Sequence, residues 1–131
     1  MKILGTLETA ELDDLISEAS KETKHVYCLD RNNVYLGCND QQAKAFGLAS
    51  TDEVIGLTNF DLPAVELPMA DIWNQNNMAV MESGEPKRVE EPAILEDGSH
   101  AVVISNKIPL FDTEENVIGL LGISQVLPKN T

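Results

Sequence analysis

The sequence predicts one α+β domain: a five-stranded antiparallel sheet with helices gathered on one face, preceded by an N-terminal amphipathic helix. Three observations carry this. β-Prone runs fall into two groups, two early and three late, with helical segments between them. Arg31-Asn32-Asn33 and Asp97-Gly98 supply turn-rich links within the groups. The length, 131 residues, fits the roughly 100–150 residues of a typical single domain.

Residues 7–22 follow helical periodicity, with Leu12, Leu15, Ile16 and Ala19 on one face, Thr9 as N-cap and Glu11 in the first turn. Two partners for that stripe stand open: the chain's own domain, or a second copy. Residues 26–30 and 34–38 form a hairpin. A turn centred on residue 32 sets Cys28 opposite Leu36 and Val26 opposite Cys38, so both thiols share a face two residues out of register. That spacing is too wide for a disulfide, and two cysteines are too few for a secreted scaffold.

Asn39 opens a short helix closed by Gly47, and Ser50 with Glu53 has the pattern of a capping box for a second, stopped at Gly56. Residues 69–83 form the longest internal helix, ended by Gly84 and Pro86. Strands follow at 87–95, 100–108 and 117–124, the second closed by Pro109 and a loop. The last can return beside the early hairpin and join the two groups. The division is an N-terminal helix (1–24), a domain (25–127) and a tail (128–131).

Composition limits the partners. Twenty-two acidic against nine basic residues give a net charge of −13, which repels nucleic acid and anionic lipid. No apolar run nears the roughly 20 residues of a membrane span, and no secretory leader is visible. The expectation is a cytoplasmic protein that binds no nucleic acid and inserts in no membrane.

The strand ending in Asp30, the VYLGCN run with Asn39, the middle section AFGLASTDEVIGLT and FDLP, and the closing strands EEPAILEDGSHAVVISNKIPLFDTEENVIGLLGIS together resemble the PAS family from about residue 25 to 126. One departure is the end: many relatives finish in an Asp-Ile-Thr turn, whereas this chain runs Ser124-Gln125-Val126-Leu127-Pro128. The resemblance implies a bacterial sensory and dimerisation module of a sensor histidine kinase or transcription regulator. It implies a homodimer, an effector domain in the same or a partner protein, and a small-molecule pocket between the sheet and the long helix.

No cofactor is expected. Relatives that bind flavin covalently carry a reactive Cys on a short helix, and the stretch near GLTNFDLP has none. Relatives that bind haem commonly use a His on the long helix, and residues 69–83 contain none. His25 and His100 read as exposed or partly exposed side chains, and no metal site is expected. On the long helix, Ile72, Trp73, Asn76 and Val80 fall on one stripe at about 100° per residue, which sets the Asn76 amide among apolar neighbours. A buried amide needs partners from the protein or from a ligand. Ser105 and Ser124 interrupt apolar strands and are the other candidate pocket residues. Asp30 and Asp61 read as turn-binding carboxylates, with no His or Cys at a catalytic spacing, so a non-enzyme is expected. Two alternatives remain: a ligand-free interaction scaffold dimerising through Leu12, Leu15, Ile16 and Ala19, and a small α+β cone enzyme with a pocket acid.

Overall fold

The computed structural model describes residues 2–3, 9–21, 24–95 and 97–127. The elements are β1 (Lys2–Ile3), α1 (Thr9–Ala19), β2 (His25–Asp30), β3 (Tyr35–Cys38), α2 (Asp40–Ala45), two 3₁₀ turns (Thr51–Val54 and Asn59–Asp61), α3 (Leu67–Ser83), β4 (Lys87–Ile94), β5 (His100–Phe111) and β6 (Val117–Val126). The expected ends of the first helix at 7–8 and 22, the capping side chains of Thr9 and Glu11, and the tail at 128–131 lie outside the described residues.

Strands β2 to β6 form the expected antiparallel sheet. β6 is its spine, paired with β5 on one side and β2 on the other. This is the return of the last strand beside the early hairpin. β3 continues from β2, and β4 from β5. β1 was not foreseen: it pairs parallel with the far end of β5, Lys2 against Leu110.

The sheet is covered on both faces. α2, α3 and the 3₁₀ turns close the inner face over Tyr27, Leu29, Tyr35, Phe46 and Leu120. α1 closes the outer face, where Leu12, Leu15 and Ile16 are buried against Val26, Cys28, Leu110 and Leu121, with Ala19 packed alongside. The amphipathic stripe is therefore used within the chain, the first of the two partners left open. Gly37 permits the approach, since a Cβ there would sit 2.8 Å from Ile16 Cδ1. Asn39 ties the junction together. Its Oδ1 caps α2 at the Gln42 amide and accepts from the Val26 amide, while its Nδ2 donates to Lys24 O and Ser20 Oγ.

Four local expectations are corrected. The hairpin register holds at Leu29 opposite Tyr35 but slips at a bulge, so that Cys28 meets Gly37 and Tyr27 meets Cys38. Leu36 is the extra residue, and a one-residue slip moves side chains across the sheet. The thiols consequently lie on opposite faces, Cys28 outer and Cys38 inner. Ser50 makes no capping bond: Glu53 accepts instead from the Ala49 amide, and the reciprocal box forms between Thr58 and Asp61. The helix expected after Ser50 is a single 3₁₀ turn. Finally, β5 runs through Pro109 to Phe111. Pro109 is tolerated because β4 ends opposite Lys107, so this stretch no longer has β4 beside it.

Candidate functional site

The inner face carries more polar chemistry than its sequence suggests. β5 alternates so that Val103, Ser105 and Lys107 point inward and are buried. Lys107 is 1 % exposed. Its Nζ donates to Tyr27 Oη at 2.7 Å and to Asn77 Oδ1 at 2.7 Å, and lies 3.2 Å from Glu91 Oε1. Glu91, on β4 and also buried, uses its second oxygen to accept from Asn76 Nδ2 at 2.9 Å. Tyr27 Oη shares a hydrogen bond with Ser105 Oγ at 2.9 Å, and Ser124 Oγ donates to Ser105 Oγ at 3.0 Å. The ammonium thus joins four elements, β2, α3, β4 and β5, and the Ser105–Ser124 bond brings in β6.

Burial opposes the charged form of Lys107, but Tyr27 and Glu91 outweigh it and hold the ammonium above the ordinary lysine value. Gly122 makes the arrangement possible. Tyr27 lies directly across it, and a Cβ at Gly122 would stand 1.9 Å from the ring.

An aromatic arc faces the network. Tyr27, Tyr35, Phe46 and Trp73 follow one another with ring centroids 6.3, 5.3 and 6.0 Å apart, the first two pairs edge-to-face. Trp73 Nε1 donates to Pro92 O at 2.8 Å, pinning α3 to β4. Tyr35 Oη donates to Asn59, whose amide donates to Asn74 at 2.7 Å. Burial pushes the Tyr35 phenol well above its usual range. Between arc and network lies a cavity of ≈ 40 Å³, against the roughly 10–15 Å³ that one water requires. As it stands that is room for about three waters, well under the roughly 150 Å³ of a cavity that binds benzene.

Of the residues singled out beforehand, Trp73 and Ser124 line this cavity, and Ser105 sits behind Ser124 in the hydrogen-bonded chain. Two were misplaced. Ile72 is 41 % exposed and faces a separate outer groove with Pro92 and His100. Asn76 approaches Glu91 from the side, while Asn77, one residue on, lines the cavity. The buried stripe of α3 is Met69, Ala70, Asn77, Val80 and Met81, about one residue's rotation from the expected one. The polar run 74–77 offered no apolar contrast to fix it. Lys107, Glu91, Tyr27 and Tyr35 went unrecognised. His25, at the start of β2, is half-buried and lines the cavity, whereas His100 is exposed and paired with Glu66 at 2.7 Å.

The remaining candidates have structural partners. Asp30 accepts from the Asn32 and Val34 amides. Asp61 accepts from the Thr58 amide and hydroxyl, which lower its carboxyl below the usual value. Burial pushes both thiols up to about 12, which leaves them protonated and unreactive. Among the described residues no three His, Cys, Asp or Glu side chains converge as a metal set, and no helix is long and apolar enough to cross a membrane.

The model of a family described as the PAS fold matches residues 24–127. The chain belongs to the PAS family. Solved structures agree with this PAS fold. VqmA of Vibrio cholerae, described as a dimer in the absence of target DNA, is 25% identical with a TM-score of 0.76, covering 88% of this chain and 51% of that one. A ligand–DNA complex of VqmA matches equally, at 25% identity and a TM-score of 0.76, covering 87% and 50%. The chain thus spans about half the length of the VqmA chains. The PAS domain of Bordetella pertussis BvgS, at 20% identity and a TM-score of 0.76, covers 93% of this chain and 90% of that one. The PAS domain of the Cronobacter turicensis quorum-sensing receptor RpfR, in complex with BDSF, is 19% identical with a TM-score of 0.64, covering 83% and 98%. The last two are likenesses of fold. Comparison with curated protein sequences returns no match.

Proposed function

We propose that this PAS domain is the sensory part of a cytoplasmic bacterial signalling protein, a transcription regulator or sensor kinase. In this reading it binds a compact small molecule in the cavity between sheet and α3. The observation that carries it is the buried Lys107–Glu91 pair beside the aromatic arc. A buried ion pair replaced by apolar side chains of similar volume is often neutral or stabilising, so its presence beside a cavity favours recognition over packing. The solved relatives support the same reading: VqmA has been captured with a ligand and RpfR with BDSF. The domain itself is non-catalytic and forms a homodimer, and its net charge of −13 leaves nucleic-acid contact to another part of a larger assembly.

Native mass spectrometry of the protein as purified tests the proposal. A retained mass beyond whole multiples of the polypeptide, released on denaturation, is the expected result. A clean polypeptide mass that stays clean after incubation with extract from the source cells would overturn it and favour a ligand-free dimerisation scaffold. The multiples themselves report the homodimer. Changing Leu15 and Ile16 to Asp does not serve as a dimer test, because both side chains are buried inside the chain.

A further inference from the structure

One polar side chain of the cavity has no partner. Gln42, the third residue of α2, is 7 % exposed and lines the cavity. Among the described residues its backbone amide is bonded to Asn39, but its side-chain amide makes no hydrogen bond. The amide still reaches free space, since the enclosed unpartnered side-chain atom among the described residues is Asn33 Oδ1, and it carries one acceptor and two donors to offer there. Across the space, Asn77 uses its oxygen on Lys107 and has its own amide N–H groups over.

The charged groups opposite are, by contrast, fully committed. The three N–H bonds of Lys107 go to Tyr27, Asn77 and Glu91, and both oxygens of Glu91 are engaged. The pair is also balanced within itself. Among the described residues lining the space, an anionic or cationic ligand would meet no uncommitted lysine or carboxylate.

We infer that Gln42 is a specificity-determining residue, and that the site takes a neutral, flat, compact molecule. Such a molecule offers an amide-like edge, donor beside acceptor, to Gln42 and lays its body against Phe46 and Trp73. This rests on the cavity being a ligand site, as proposed above.

Four small probes separate the possibilities: 2-pyridone (neutral, amide-edged), toluene (neutral, no edge), benzoate and benzylamine. Each is titrated into ¹⁵N-labelled protein and followed by NMR, with the Gln42 side-chain amide signal as a direct reporter. The expected order is 2-pyridone tightest, with both charged probes at least tenfold weaker. Gln42→Met weakens 2-pyridone by about five- to tenfold, the worth of one or two net hydrogen bonds, and leaves toluene unchanged. If probes bind but benzoate or benzylamine leads, or if Gln42→Met leaves 2-pyridone affinity unchanged, the inference is overturned while the sensory reading stands. If no probe perturbs any cavity signal, toluene included, both fall together.

Discussion

The two faces of the sheet are built from the same strands and closed in opposite ways. The outer face is sealed by a single helix whose stripe meets only apolar side chains and a protonated thiol. The inner face is roofed by shorter elements and holds a charged pair, four hydroxyls and an unpartnered amide within its core. The outer face is what a protein makes when it needs only to be stable. The inner face gives up apolar packing for polar contacts, and that contrast marks the candidate site without reference to any relative.

The most severe test of the contrast is Lys107→Met. Removing one partner of a buried pair leaves Glu91 uncompensated, at a cost of about 3–5 kcal/mol. The double variant Lys107→Met/Glu91→Leu should recover most of that loss in urea denaturation. A single variant as stable as the parent would show that the pair is hydrated and the inner face is not a core.

Next come the two glycines that open the faces. Gly122→Ala drives a methyl into the Tyr27 ring, whereas Gly37→Ala meets only the movable tip of Ile16. Overpacking typically costs about 1–3 kcal/mol, so the first should fall at or above the top of that range and the second near its bottom. Equal midpoints would mean that Tyr27 can move aside, and with it the anchor of Lys107.

The smallest effect concerns pH. Cys28 and Cys38 have folded-state values raised from 9.0 to about 12. Their contribution is therefore complete below pH 9 and is lost as pH climbs towards 12. The variant Cys28→Ala/Cys38→Ala should be less stable at neutral pH yet show a shallower decline across that window. An unchanged slope in the stability–pH curve would mean that both thiols ionise in the folded state as readily as in the unfolded chain.

How far the sequence reveals these faces depends on the kind of signal. Caps and turns are local, so Asn39, Gly84, Asp97-Gly98 and the strands they bound can be read directly. The site cannot, for a physical reason visible in β5. Val102, Ile104 and Ile108 are its apolar alternate set, and period-two reasoning alone assigns them to the core and sends Lys107 to solvent, while Ser105 is placed near the pocket only by analogy with the family's cavity. The structure does the reverse: Val102 is 45 % exposed while Ser105 and Lys107 are buried. Only partners from β2, α3 and β4 make a buried lysine tolerable, and those pairings are long-range. The hairpin bulge at Leu36 and the phase of α3 escaped for the same reason, since each is decided by what packs across from it. Trp73 and Ser124, placed by analogy with the family's cavity, are on its wall.

Trp73 has a consequence of another kind. It is the chain's single tryptophan, it stands on the cavity wall, and its indole N–H is held by Pro92 O. Excited at wavelengths that tyrosine does not absorb, the unmodified protein therefore emits from one fluorophore at the one place where occupancy would be felt. A molecule settling against the ring changes its quenching and polarity. A shift of α3 away from β4 breaks the Pro92 bond and moves the emission maximum instead. Intensity and wavelength thus separate the filling of the cavity from the movement of its roof, in a protein that carries its own dye.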